Sequence, residues 1–172
     1  SSRDQVLLCE IEAAYLAGDF GGALTPDRTR GVLEPEPKTL RNGSWADQGY
    51  PFYTGRITYR AKVAARKGER AALRLPDVSA VLCHVRVNGQ PAGDMLGLPW
   101  LLDLTDALHD GENDLEIEVV ASRQNLLGPL HTKEGEDLHA CGPFSFATDW
   151  FMLPEFCLLD YGLLGGAELL RS

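Results

Sequence analysis

The sequence predicts an all-β fold, an antiparallel β-sandwich formed as a single domain over residues 1–172. Short runs of alternating apolar and polar residues recur along the chain, and Gly- and Asn-rich reversals separate them. Amphipathic segments of roughly 10 or more residues, which a βαβ fold would interleave, are few.

The N-terminal stretch 6–20 fits two patterns. Leu7, Ile11, Ala14 and Tyr15 suit a helix, whereas Leu7, Cys9, Ile11, Ala13 and Tyr15 suit a strand. Gly18, Gly21 and Gly22 are expected to end it. Residues 25–45 read as loop, because Pro26, Pro35 and Pro37 interrupt any regular element. Ile57, Tyr59, Ala61 and Val63 then alternate with Thr58, Arg60 and Lys62, so a period of two gives one apolar and one basic face. Ala71, Leu73 and Leu75 alternate around Arg74. The polar turn Arg66-Lys67-Gly68-Glu69 between these runs predicts a hairpin.

Val81, Cys83, Val85 and Val87 form the next inward set, and Asn88-Gly89 supplies the pair best suited to a type I′ turn into residues 90–95. Pro99-Trp100 leads into a run at 101–104, after which Thr105-Asp106-Ala107-Leu108 allows one helical turn capped by Thr105 or Asp103. Asp110-Gly111-Glu112-Asn113 launches a last strong strand, with Leu115, Ile117 and Val119 on one face and Asp114, Glu116 and Glu118 on the other. Residues 126–154 are irregular and read as a long surface excursion, the kind of segment that often carries function.

Composition narrows the function classes. The chain carries 16 Lys plus Arg against 25 Asp plus Glu, a formal charge of −9, which opposes the phosphate neutralisation on which nucleic-acid affinity depends. No apolar run approaches the roughly 18 residues of a membrane-spanning helix, so neither nucleic acid nor a membrane is an expected partner. A chain that opens Ser1-Ser2 without Met reads as a piece of a longer protein, and the compartment stays open. The four cysteines, Cys9, Cys83, Cys141 and Cys157, show no C-x-x-C pair, and reduced thiols are expected, Cys83 as a small core hydrophobe.

The order of signals resembles a family. Trp45 is followed by Gly49-Tyr50-Pro51-Phe52-Tyr53-Thr54-Gly55 with Tyr59, then by Val85-Arg86-Val87-Asn88-Gly89 with Gly93. Pro99, Asp103-Leu104-Thr105, Leu108, Gly111-Glu112-Asn113, Leu115, Ile117 and Val119 complete the series. This is similar to the galactose-binding-like jelly-roll, or sugar-binding, domain of family 2 glycosidases and of rhamnosidase-type enzymes, over residues 45–129. The tail Asn125-Leu126-Leu127-Gly128-Pro129 and the stretch from Asp149-Trp150-Phe151 to Tyr161-Gly162-Leu163-Leu164-Gly165 are similar to C-terminal regions of large bacterial glycosidase-like proteins. So is Tyr15-Leu16-Ala17-Gly18-Asp19-Phe20, which that setting would make a sandwich strand. The resemblance implies a non-catalytic accessory domain of a glycoside hydrolase, whose partner is carbohydrate or the parent's catalytic domain.

Sugars are gripped by stacking an aromatic face on pyranose C–H groups and by polar groups set at the hydroxyls. Trp45, Trp100 and Trp150 are candidates for stacking, although Trp is more often packed inside. His84 and Arg86 project from one outward strand face and begin a polar platform whose bland alternative is a solvated face. The carbohydrate-binding expectation therefore rests on Trp100, His84, Arg86 and Trp45. His131, Glu134, Glu136, Asp137 and His139 hold metal-ligating and acid–base groups at spacings that match no zinc motif, and a charged loop is the simpler reading. Asp103, Asp106, Asp110, Glu112 and Asp114 leave room for a structural calcium, yet the D-x-[DN]-x-[DN]-G order is missing and turn formation accounts for them. No cofactor or metal site is otherwise expected. Glycoside hydrolysis needs two carboxyl groups about 5 to 9.5 Å apart across the sugar. Nothing selects such a pair from Glu134, Asp149 and Glu155, so no catalytic residue is expected. Two alternatives stay open: a purely structural interaction module, and a small autonomous hydrolase built on the 131–139 region.

Overall fold

A computed structural model describes residues 16–127, 130–132 and 152–172. In chain order the strands are β1 (Gly21–Leu24), β2 (Gly31–Glu34), β3 (Arg56–Ala65), β4 (Ala71–Arg74), β5 (Leu82–Val87), β6 (Gln90–Met95), β7 (Leu101–Asp103), β8 (Gly111–Val120), β9 (Leu130–Thr132), β10 (Met152–Cys157) and β11 (Glu168–Arg171). One 3-10 turn, Ala46–Gln48, and one short helix, α1 (Gln124–Leu127), accompany them. A four-stranded sheet of order β3-β8-β5-β6 and a three-stranded sheet of order β11-β4-β7 make the two main layers. The strands of each layer pair antiparallel. Among the described residues no helix is long and apolar enough to cross a membrane.

Period-two alternation decides which side chains meet between the layers. Cross-strand partners Cys83↔Val119, Val85↔Ile117 and Val87↔Leu115 share the inner face of the four-stranded sheet, and all six are buried. Ala71 and Leu73 of β4, with Leu75, Leu104, Leu108, Tyr161, Leu163 and Trp45, join them in one core cluster. Each buried Val or Leu stabilises the fold by about 1.5–3 kcal/mol relative to exposure, so this cluster is the main source of stability. At Gly93 (φ +154°) a Cβ would lie 2.7 Å from Leu102 Cδ1, which shows how closely β6 and β7 approach.

The reversals are built as their residues dictate. Asn88 (φ +52°) and Gly89 (φ +75°) both take the left-handed backbone that a type I′ turn demands. The Asn88 and Asn113 side chains then clasp each other. Asn88 Nδ2 donates to Asn113 Oδ1 at 2.9 Å, and the Asp114 amide donates to Asn88 Oδ1 at 2.9 Å. Asn113 Nδ2 donates to the carbonyls of His109 and Gly111, and its Oδ1 also accepts from the His109 amide. Two turn signals far apart in sequence thus form one buried polar unit that fixes where β8 begins.

Several expectations are corrected. The Arg66–Glu69 turn forms, with the Glu69 amide donating to the Arg66 carbonyl at 3.0 Å, but it is not a hairpin. β3 pairs with β8, while β4 pairs with β11 and β7, so the chain turns a corner from one sheet to the other. Val81 precedes β5 and is 52% exposed, unlike the inward residues that follow it. The 25–45 region read as loop holds β2, which pairs with β1 just before that region in a hairpin whose ladder tolerates flanking prolines. Where a strand was expected to run to Phe20, residues 16–20 form none; the rest of that expectation lies outside the described residues. The ends of the 126–154 segment contribute α1, β9 and part of β10, and its middle lies outside the described residues.

Candidate functional site

Local geometry raises one groove of about 810 Å³ beside the sandwich. One wall is the β1–β2 hairpin, and the other is the Gly49-Tyr50-Pro51-Phe52-Tyr53-Thr54-Gly55 turn. The turn is anchored on Trp45, whose carbonyl accepts from the amides of Gln48 and Tyr50 at 3.0 Å each. Gly49 (φ +98°) lets the chain leave the 3-10 turn, and a Cβ there would strike Pro37 Cγ at 2.5 Å. The Gly22 amide donates to the Gly49 carbonyl at 2.7 Å and ties the two walls together.

Rigid aromatic rings line the turn. Tyr50 and Tyr53 have centroids 5.4 Å apart, and Tyr53 lies 6.0 Å from Trp45 behind it. Tyr53 Oη donates to the Arg56 carbonyl and accepts from the Arg56 amide, both at 3.1 Å, so its ring orientation is set while 37% of the residue stays exposed. Phe52 packs edge-on against Phe156 at 5.3 Å. Tyr50 Oη donates to Glu36 Oε1 at 3.1 Å, and desolvation, followed by this carboxylate, pushes the Tyr50 phenol above its ordinary value. Asp19 adds a second exposed carboxylate, and among the described residues no Lys, Arg or His lines the groove.

The residues named from sequence are scattered. Trp45 is 1% exposed in the core, with its Nε1 donating to Tyr59 Oη at 2.7 Å, so it presents no face to a sugar. Trp100 is half-buried against the core at the start of β7. His84 and Arg86 do lie on the outward face of β5, but His84 Nδ1 sits 2.7 Å from Asp94 Oδ1, and Arg86 registers opposite Glu116. That face and Trp100 belong to different layers and form no common surface.

The acidic series reserved for calcium is likewise dispersed. Asp103 accepts from the Thr105 amide, which with the Thr105 hydroxyl holds its carboxyl below the usual range. Asp110 accepts from the Lys67 amide, and Glu112 and Asp114 face Lys62. Among the described residues no group of three His, Cys, Asp or Glu side chains is close enough to hold a metal. Trp150, Asp149, Glu134, Glu136, Asp137 and His139, and the side chain of His131, lie outside the described residues. Glu155 on β10 has one buried carboxylate oxygen without a hydrogen-bond partner among the described residues.

Asp19, Glu36, Tyr50, Phe52 and Tyr53 were not singled out as a site. The signal for them in the sequence is the three aromatics within the 49–55 run.

The fold aligns over 100% of this chain with a rhamnosidase from Novosphingobium sp. PP1Y, at a TM-score of 0.52 and 24% identity. The chain has the fold of one domain of that enzyme. That domain corresponds to 16% of the rhamnosidase chain. A provisionally named beta-glucuronidase of Formosa agariphila is 31% identical over 92 residues, which is 49% of this chain and 8% of that protein. A Bifidobacterium dentium beta-glucuronidase is 32% identical with a TM-score of 0.41, covering 59% of this chain and 18% of its own. No family model matches the chain. The chain therefore spans a small part of each of these proteins.

Proposed function

We propose that this chain is a non-catalytic accessory β-sandwich of a glycoside hydrolase, seated against the rest of its parent protein. The observation that carries the reading is the 96–101 loop, where Leu96 is 78% and Leu98 90% exposed beside exposed Leu101 and half-buried Trp100. Several large apolar side chains exposed together mark an interaction surface, because each leucine gains about 1.5–3 kcal/mol on burial. The small share of each relative that the chain matches supports the same reading.

Hydrogen exchange of the full-length parent against the 172-residue chain tests it. Amides of the 96–101 loop should be protected only in the longer protein; equal exchange in both removes the docking role. Hydrolysis of aryl glycosides by the 172-residue chain, lost on Glu134→Gln or His131→Ala, would establish the autonomous hydrolase instead.

A further inference from the structure

We infer that the groove between the β1–β2 hairpin and the Tyr50–Tyr53 wall is a subsite for a neutral saccharide, one that discriminates against uronic acids. The inference rests on the accessory-module reading; its ligand class comes from the fixed aromatic wall with acceptors beside it, and its charge preference from the groove lining.

Sugar rings present apolar C–H faces and a girdle of hydroxyls, so a subsite needs a fixed aromatic wall and hydrogen-bonding groups beside it. The wall is fixed from behind. Tyr53 is braced by Trp45 and by the Arg56 backbone, and Tyr50 by Tyr53 and Glu36. Little side-chain freedom is left to lose on binding, which favours affinity. Opposite, Val32 and Leu33 of β2 border the groove, and both are exposed.

The polar groups define the preference. Glu36 accepts from Tyr50 through Oε1, and Oε2 has no hydrogen-bond partner among the described residues; Asp19 makes no side-chain hydrogen bond among them. Both carboxylates accept only, which suits sugar hydroxyls as donors. A uronate would bring a third carboxylate into a groove whose lining holds no cation among the described residues. At roughly 5 Å in a water-exposed site each repulsion is worth about 1 kcal/mol, so two of them correspond to a discrimination of about tenfold or more.

Saturation-transfer and amide-shift NMR on the 172-residue chain provides the test, with cellohexaose, xylohexaose, mannohexaose and L-rhamnose as neutral probes and hexagalacturonate as the anionic one. At least one neutral probe should shift amides of the 49–55 turn and of β2, with hexagalacturonate at least about tenfold weaker at low salt. Glu36→Gln should narrow that gap. Val32→Lys, at an exposed position, should narrow it further by placing a cation in the groove. The subsite is overturned if no neutral probe moves these amides, if hexagalacturonate binds as tightly, or if both variants leave the ratio unchanged. Protection of the 96–101 loop in the longer protein would meanwhile stand, so loss of the subsite is distinguishable from loss of the accessory role.

Discussion

The outer face of the four-stranded sheet and the aromatic groove are both solvent-facing, yet they are built on opposite electrostatic rules. On the sheet, β3 presents cations and the neighbouring β8 presents anions. Arg56 meets Glu118 at 3.3 Å, Arg60 meets Glu116 at 2.7 Å, and Lys62 meets Glu112 at 2.5 Å and Asp114 at 3.9 Å. His84 and Asp94 repeat the pairing between β5 and β6. Apart from Arg86, which forms no ion pair among the described residues, this surface pairs its own charges. In the groove the carboxylates of Asp19 and Glu36 have no cationic partner in the lining among the described residues, and apolar rings stand beside them. That difference is the basis of the proposed subsite.

The largest expected effect comes from the residue behind the groove. Trp45→Ala should cost about 3–5 kcal/mol in denaturant unfolding, because it empties a core site and withdraws the brace of Tyr53. A cost below about 1 kcal/mol would show that the groove wall stands without the core. Asn113→Ala comes next, at about 2–3 kcal/mol, since it orphans buried donors and acceptors of the clasp that sets the start of β8. Amide exchange should rise at residues 109–114 and at the Asn88 turn; unchanged exchange there would detach the charged ladder from the clasp.

Alkaline pH probes the core beneath the charged face. Burial pushes the Cys83 thiol up to about 12 from an ordinary value of 9.0. The folded thiol stays protonated while the unfolded one ionises, so its contribution holds below pH 9 and is lost as pH rises from 9 toward 12. The loss should approach about 1.4 kcal/mol per pH unit for this one group. In mass-mapped alkylation at pH 8, Cys83 should stay unmodified until the chain unfolds; rapid native labelling would contradict its burial.

The smallest effect should come from the ladder itself. Arg60→Ala should cost less than about 1 kcal/mol, and that cost should shrink further in high salt. A larger, salt-insensitive loss would mean that the face is not simply solvated, and would weaken the contrast with the groove.

Legibility in the sequence followed range. The inward sets Cys83, Val85, Val87 and Leu115, Ile117, Val119 were readable because a strand alternates its faces whatever it pairs with. The Asn88-Gly89 reversal was readable because its backbone conformation is local. The destination of the Arg66–Glu69 turn was not, since a corner between sheets and a hairpin within one begin from the same polar residues. Trp45 and Trp100 are sugar-contact candidates by residue type, which says what Trp45 can do but not that the core encloses it.

By itself, then, the amino-acid order determined the strand class, the core-facing residues and the tight reversal, all set by conformational preferences spanning a few neighbours. Only the tertiary structure decided the sheet order β3-β8-β5-β6, the union of Asn88 with Asn113, and the meeting of the β1–β2 hairpin with the Tyr50–Tyr53 wall. Those depend on which surfaces exclude water together, and that is a property of the folded chain as a whole.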